Sequence, residues 1–179
     1  MARFYVRPPS TGHRPPSPGE ARIQQLLTRL GQSHAALRAK LDGLRDESMT
    51  TVAVVPGYTI RDLLAVSAAW DQTVLTTIEA YLNHDQPPRL VIEDMEAWNR
   101  QARDRRRDLP LMQLRMSFLM TRGELGSLLA IAPPETVDQA IEYPWGERGT
   151  VRRLVERYCI ARDLEYAEHI GAWRTREGL

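Results

Sequence analysis

Apolar side chains recur every three or four positions along most of this chain, which is the spacing of the buried face of an α-helix. The first stripe follows the segment SPGE at 17–20, in which Ser17 suits a helix cap, Pro18 the first helical turn and Glu20 a capping box. It predicts helix one from Pro18 to about Leu44. The apolar face of this helix consists of Ile23, Leu26, Leu27, Leu30, Leu37, Leu41 and Leu44, with His34 among them as a predicted core residue.

Three more segments follow the same periodicity. Thr59 and Asp62 suit the capped start of helix two, which is predicted to continue to Leu82. A third helical region begins near residue 91 and is broken at 108–110, because Pro110 has no backbone N–H and disfavours a helical conformation in the residue before it. A long helix then runs to 131, and Thr150 caps a last helix predicted at 151–174.

Strand-like segments are short. The run TTVAVV at 50–55 is the only β-like run and has no evident partner, and YPWGERG at 143–149 is expected to be an irregular loop. The chain is therefore predicted to be all-α, with four main helices. A helix of ~24 residues is ~36 Å long, which is enough for a four-helix bundle.

The amino-acid composition indicates the class of protein, its domain organisation and its expected location. With 179 residues, of which 42% are apolar and 26% charged, the chain is typical of one globular domain. Residues 1–17 are rich in Pro, Ser and Gly and are expected to form a flexible arm before a single domain at 18–179. Cys159 is the only cysteine, no apolar stretch reaches the ~18 residues of a membrane helix, and the N-terminus lacks the apolar core of a secretory signal. These features predict a cytoplasmic protein with no membrane partner.

The charge pattern bears on nucleic acid. The formal net charge is only +1, and the arginine-rich segment RQARDRRRD at 100–108 is interrupted by Asp104 and Asp108. The segment also lacks interleaved aromatic residues on which bases could stack. We therefore expect no nucleic acid partner, and we interpret the segment as a solvated helix face.

Three segments together resemble a known superfamily. YTIRDLLAVSAAWDQTVLTTIEAYL at 58–82 resembles the second helix of the DinB/YfiT-like four-helix bundles, and GTVRRLVERYCIARDLEYAEHIGAWR at 149–174 resembles their fourth helix. DMEAWNRQARDRRRDLP at 94–110 is similar to a segment common in the ClbS/DfsB-like branch. The resemblance implies an up-down-down-up bundle in which a long crossover, here 83–110, joins the second and third helices.

The resemblance also bears on a metal. The usual site of the superfamily holds a divalent ion with three histidines, whose positions match Val66, Glu165 and His169 of this chain. Valine has no ligand atom, and the remaining two side chains fall short of the three protein ligands of a typical catalytic site. We therefore expect neither a metal nor another cofactor.

Polar residues on the last helix are the main candidates for chemistry. Arg162, Glu165 and His169 are spaced i, i+3 and i+7, so they share one helix face. If that face points inward, Glu165 could orient His169 for acid–base catalysis, and Arg162 could bind a polar or anionic small molecule. The alternative is a ladder of surface ion pairs, each worth only tenths of a kcal/mol.

Aromatic and amide side chains are candidates for the wall of a pocket. Trp70, Asn99 and Trp145 lie in segments that the resemblance associates with the pocket, and Trp145 sits in a loop between Pro144 and Gly146. For the tryptophans the alternative is ordinary core packing, and Asn99 could simply form a hydrogen bond within the bundle. Cys159 is expected to be buried packing.

Three functions remain open at this point. The first is a metal-free, ClbS-like small-molecule-binding protein that acts as a hydrolase in self-protection or detoxification, with Glu165 and His169 as catalytic residues. The second is a divalent-metal-dependent thiol S-transferase, against which Val66 argues. The third is a non-catalytic interaction module that forms a homodimer through one helix face.

Overall fold

Four long helices dominate the computed structural model, which describes residues 15–84, 90, 92 and 94–179. They are α1 (Pro18–Leu41), α3 (Ile60–Leu82), α5 (Leu111–Ile131) and a last helix built from α6 (Val151–Val155), a π-helical turn (Glu156–Ile160) and α7 (Ala161–Glu177). The shorter helices are α2 (Asp46–Thr51) and α4 (Met95–Asp104). The predicted all-α four-helix bundle is confirmed. Most of the predicted arm at 1–17 lies outside the described residues.

The helix starts follow the predicted capping residues. Ser17 and Glu20 form a capping box at α1, and Thr59 and Asp62 form another at α3. In the second box the Asp62 backbone N–H donates to Thr59 Oγ1 at 3.2 Å, and the Thr59 N–H donates to Asp62 Oδ2 at 2.9 Å. Each box satisfies backbone donors that the first helical turn leaves without partners.

One prediction about the non-helical segments is wrong, and another is correct only in part. The strand β1 (Ala53–Val55) does have a partner, β2 (Tyr58–Thr59). Residues 143–147 do form a loop, but it connects the two strands of a second hairpin, β3 (Ala140–Glu142) and β4 (Arg148–Thr150). Strands of two or three residues are too short to show an alternating pattern, so periodicity could not reveal them. Helix α1 also ends three residues before the predicted Leu44.

The long helices bury two apolar clusters, one around Trp70 and Leu125 and the other around Leu64 and Phe118. Helix α3 packs mainly against α5, and α1 packs mainly against α7. Helix α3 is buried on almost all sides, with fourteen of its residues shielded from solvent, so it is the central helix of the bundle. Among the described residues, no helix has both the length and the apolar composition needed to cross a membrane.

The π-helical turn interrupts the last helix next to the core. Its residues Tyr158, Cys159 and Ile160 are buried. A π turn holds about one residue more than an α turn, so it rotates the residues that follow it around the helix axis. The predicted last helix is therefore present, but the face presented by α7 depends on this insertion.

Candidate functional site

A cavity of about 490 Å³ lies between α4, α7 and the first hairpin. Four of the predicted site residues line it, namely Asn99 from α4 and Arg162, Glu165 and His169 from α7. Tyr58, Glu96 and Tyr166 complete its polar wall, and Val55, Pro56 and Leu63 supply apolar surface. We call this space the α4–α7 cavity. Its volume lies in the range of small-molecule sites.

Glu165 and His169 form a loose pair at the edge of this cavity. Glu165 Oε1 lies 3.6 Å from His169 Nε2, and the two side chains are 63% and 41% exposed. That distance is longer than a hydrogen bond, although catalytic contacts often shorten when substrate binds. Because both side chains are largely exposed, the pair contributes little to stability.

Arg162 lies deeper in the cavity, between two aromatic rings. Its guanidinium carbon is 5.0 Å from the centre of the Trp70 ring and 5.9 Å from that of Tyr166. Its Nη1 donates to the Tyr166 hydroxyl at 3.4 Å. Its Nε is shielded from solvent and has no hydrogen-bond partner in the described part of the chain. Burial raises the pKa of Tyr166, which keeps that phenol neutral.

Trp70 supports the cavity without lining it. The side chain is fully buried, and its indole Nε1 donates to Asn99 Oδ1 at 2.9 Å. Its ring stacks on Tyr158 at 4.5 Å and contacts Trp98 at 4.1 Å. Trp70 therefore holds Asn99 and Arg162 in place, which is a supporting role in addition to core packing.

Trp145 lies apart from the α4–α7 cavity. It contacts the rings of Trp70, Tyr143 and Tyr158 at centroid distances of 5.0–5.7 Å, and its Nε1 donates to Glu147 Oε2 at 3.3 Å. The second hairpin thus packs Trp145 against the aromatic core, outside the lining of the α4–α7 cavity. The core-packing alternative describes its position here.

The residues present do not fit a three-histidine metal site. Val66 is fully buried in the apolar core. Within residues 15–84, 90, 92 and 94–179, no three His, Cys, Asp or Glu side chains come together in a way that could hold an ion. Glu165 and His169 alone would leave a divalent ion mostly coordinated by water.

A buried charge cluster at the centre of the bundle was missed by the sequence analysis. Arg122 of α5 donates from Nε and Nη2 to both carboxylate oxygens of Asp71, at 3.2 and 2.8 Å, and from Nη2 to Asp163 Oδ1 at 3.1 Å. Ser33 of α1 donates to Asp163 Oδ2 at 3.2 Å. A signal existed, because Arg122 falls between Phe118 and Leu125 on the apolar stripe of its helix.

Burial controls the protonation of this cluster. Desolvation raises the pKa of Asp163 to about 7, against the opposing effect of Arg122, and burial also raises the pKa of Asp71. Burial raises the pKa of the neighbouring Cys159 thiol well above its ordinary value, which is consistent with the predicted packing role. The cluster is therefore a structural network that lies close to the cavity.

His34 lies on the predicted helix stripe but is only half-buried, so it sits at the edge of the core and not within it. Its ring lies 4.7 Å from that of Phe118. Burial, together with the charges of Arg122 and Arg38, lowers the pKa of His34 to about 4, so the imidazole is neutral at physiological pH. Its Nδ1 is shielded and has no hydrogen-bond partner in the portion of the chain that the structure describes.

Comparison with solved structures supports the fold. DfsB, described as a sibling lethal factor precursor, is 16% identical, with a TM-score of 0.74 over 87% of this chain and 96% of its own. YfiT from Bacillus subtilis, described as a probable metal-dependent hydrolase with an unusual four-helix bundle topology, is 15% identical, with a TM-score of 0.68 over 93% and 94%. A comparison with curated protein sequences finds no match.

A third structure corrects the expectation about nucleic acid. The colibactin self-resistance protein ClbS, crystallised in complex with double-stranded DNA, is 10% identical, with a TM-score of 0.70 over 86% of this chain and 95% of its own. Excluding nucleic acid as a partner was therefore wrong. Net charge averages over the whole surface, whereas contacts to phosphates need only a local group of arginines.

A family model assigns the chain more directly. The model described as the mycothiol maleylpyruvate isomerase N-terminal domain matches residues 30–160, which is most of the chain and includes all of α3, α4 and α5. The structural neighbours belong to the same superfamily that the sequence motifs resemble. This protein therefore belongs to the mycothiol maleylpyruvate isomerase N-terminal domain family, within the DinB/YfiT-like superfamily of four-helix bundles.

Proposed function

We propose that this protein binds a small organic molecule in the α4–α7 cavity and hydrolyses it without a metal, with Glu165 and His169 as the acid–base pair. The observation that carries the proposal is the convergence of Asn99, Arg162, Glu165 and His169 on one cavity of about 490 Å³. Asn99 comes from α4 and the other three from α7, so the nearest pair across the cavity, Asn99 and Arg162, is 63 positions apart in the chain. Hydrolysis of a reactive compound would suit self-protection, the role named for ClbS.

The proposed reaction uses only the side chains of His169 and Glu165 and a water molecule. His169 takes a proton from a water molecule, whose oxygen then attacks the carbonyl carbon of a bound ester or amide. The imidazolium returns that proton to the leaving group as the bond to the carbonyl carbon breaks. Glu165, 3.6 Å from the imidazole, orients the ring.

The proposal differs from the description of YfiT as a probable metal-dependent hydrolase. The difference rests on Val66, which is fully buried in apolar surroundings where the superfamily pattern has a histidine. A water-activating metal normally has three protein ligands, and of the carboxylate and imidazole side chains in this cavity only Glu165 and His169 lie close together among the described residues. The imidazole of His169 is therefore the group proposed to activate water.

The test compares hydrolysis of 4-nitrophenyl acetate and 4-nitrophenyl hexanoate by the wild-type protein, Glu165→Gln and His169→Gln. Glu168→Gln is the matched control, because Glu168 is an exposed carboxylate on the same helix that does not line the cavity. We expect both site variants to lose most of the hydrolysis rate, because general acid–base catalysis contributes roughly 10²–10⁴-fold. The control should keep the wild-type rate. Millimolar EDTA should have no effect, because the proposed reaction uses no metal.

Three results would contradict the proposal. Equal hydrolysis rates in the wild-type protein and both site variants would mean that Glu165 and His169 are not the acid–base pair. Activity that disappears with EDTA and returns with ZnCl₂ would favour the metal-dependent transferase instead. If both variants still bind duplex DNA and the wild-type protein hydrolyses neither ester, the function would instead be DNA binding, as in the complex of ClbS with double-stranded DNA.

A further inference from the structure

One wall of the α4–α7 cavity carries a half-buried cation, Arg162, which has no direct contact with a carboxylate in the described part of the chain. Arg162 makes no ion pair with any described residue, and its only hydrogen bond is the 3.4 Å contact to the neutral Tyr166 hydroxyl. The nearby carboxylates of Asp71 and Asp163 are held by Arg122 instead. A half-buried guanidinium whose shielded Nε has no acceptor is unusual, because an unsatisfied charged donor is costly.

The guanidinium is held in a fixed position. It lies 5.0 Å over the ring of Trp70, which is itself locked by its hydrogen bond to Asn99 and by stacking on Tyr158. A cation over an indole face is attracted by the ring quadrupole. Binding would therefore cost Arg162 little side-chain entropy, which is the condition for a preorganised site.

Asn99 adds a second donor on the same wall. The indole N–H of Trp70 can only donate, so the atom of Asn99 that faces it is Oδ1, and the amide NH₂ remains available. Asn99 and Arg162 both line the cavity and both contact Trp70. The two N–H groups of a guanidinium and one amide N–H match the oxygens of a carboxylate.

From these contacts we propose that Arg162 and Asn99 form a carboxylate-binding subsite, so that the ligand is an organic carboxylate with an apolar body. The apolar body would lie against Val55, Pro56 and Leu63, which line the same cavity. This inference rests on the proposed function for its choice of cavity, and it does not require hydrolysis. Carboxylate binding without turnover would thus support the subsite while the hydrolase proposal fails.

The experiment measures binding of sodium benzoate and of benzamide, its neutral isostere, by calorimetry and by quenching of tryptophan fluorescence. We expect saturable binding of one benzoate per chain, at least roughly tenfold tighter than benzamide, because a charge-assisted hydrogen bond is stronger than a neutral one. Arg162→Met should abolish this preference. Arg176→Met is the matched control, since Arg176 is an exposed arginine at the end of the same helix, and it should keep the preference.

A second variant covers the case in which Arg162→Met does not fold. Asn99→Asp preserves the acceptor for Trp70 and places a negative charge on the wall, so it should weaken benzoate binding while leaving benzamide binding unchanged. Equal affinity for benzoate and benzamide would overturn the inference, and so would an unchanged preference for benzoate in Arg162→Met. A lack of saturable benzoate binding up to roughly 50 mM, about the weakest affinity expected for a small ligand, would overturn it as well. Inorganic phosphate binding as tightly as benzoate would overturn the assignment of an organic carboxylate.

Discussion

The buried cluster of Arg122, Asp71 and Asp163 makes a sharp prediction about stability. Arg122 is the only cation that the structure places in hydrogen-bond contact with either carboxylate, and both aspartates are fully buried in the described structure. Arg122→Met keeps most of the apolar stem and removes the charge. It leaves two carboxylates in the interior without the cation that contacts them, although Asp163 keeps its hydrogen bond from Ser33.

The size of the effect follows from burial. Breaking a buried ion pair by removing one partner costs about 3–5 kcal/mol of unfolding free energy, because the remaining charge has neither water nor a counter-ion. A carboxyl whose pKa is raised on folding binds more protons in the native state, so native stability falls as pH rises from about 4 to about 7. Without Arg122 the carboxyl pKa values rise further, and the deficit should shrink at lower pH by up to about 1.4 kcal/mol per pH unit.

The assay is urea denaturation at pH 8 and pH 5. We expect Arg122→Met to lose about 3–5 kcal/mol at pH 8 and clearly less at pH 5. Lowering the pH also protonates His34 more readily in this variant, because Arg122 contributes to its lowered pKa, and this effect has the same sign. Adding Asp71→Asn and Asp163→Asn should recover most of the loss at pH 8.

Two results would refute this reasoning. A loss that is equal at pH 8 and pH 5 would mean that packing around residue 122, and not uncompensated charge, determines the cost. A triple variant no more stable than Arg122→Met would mean that the carboxylates carry no penalty in the interior.

Three further predictions concern single side chains. In thermal unfolding, Gly149→Ala should destabilise the second hairpin by about 1–3 kcal/mol, because the added Cβ would lie 2.2 Å from the Tyr143 hydroxyl. Gly31→Ala should instead stabilise α1 by about 1 kcal/mol, because the added Cβ would have no neighbouring atom within 4 Å. Since the folded pKa of His34 is lowered to about 4, its contribution is present above pH 6.5 and is lost as pH falls toward 4, and His34→Gln should remove that acid sensitivity in urea melts. Glu165→Gln should weaken ligand binding with little change in Tm, since the side chain is 63% exposed, and a lower Tm with unchanged binding would mark it as structural.

Much of the fold could be predicted from local chemistry. The capping boxes at Ser17 and Thr59 are reciprocal hydrogen bonds between residues three positions apart, so they depend on nearby sequence alone. The helical stripes likewise follow from a period of 3.6 residues. The hairpin partner Tyr58–Thr59 could not be found in this way, because a two-residue strand has no measurable period.

The candidate site was only partly accessible from the sequence. The spacing of Arg162, Glu165 and His169 placed them on one helix face, and the resemblance indicated that this face matters. The contribution of Tyr58 and Glu96 to the same cavity, joined by a 2.7 Å hydrogen bond from the Tyr58 hydroxyl, depends on how the first hairpin meets α4. No local sequence pattern predicts the contact between the first hairpin and α4.

The amino-acid sequence by itself determined the helices, their starts and the absence of a third chelating side chain at Val66, because each depends on residue type and short-range spacing. Only the tertiary structure decided that Arg122 joins Asp71 and Asp163 inside the bundle, and that Arg162 lies over Trp70 with no ion pair to a described residue. The physical reason is that burial and charge pairing depend on which residues from distant parts of the chain exclude water together.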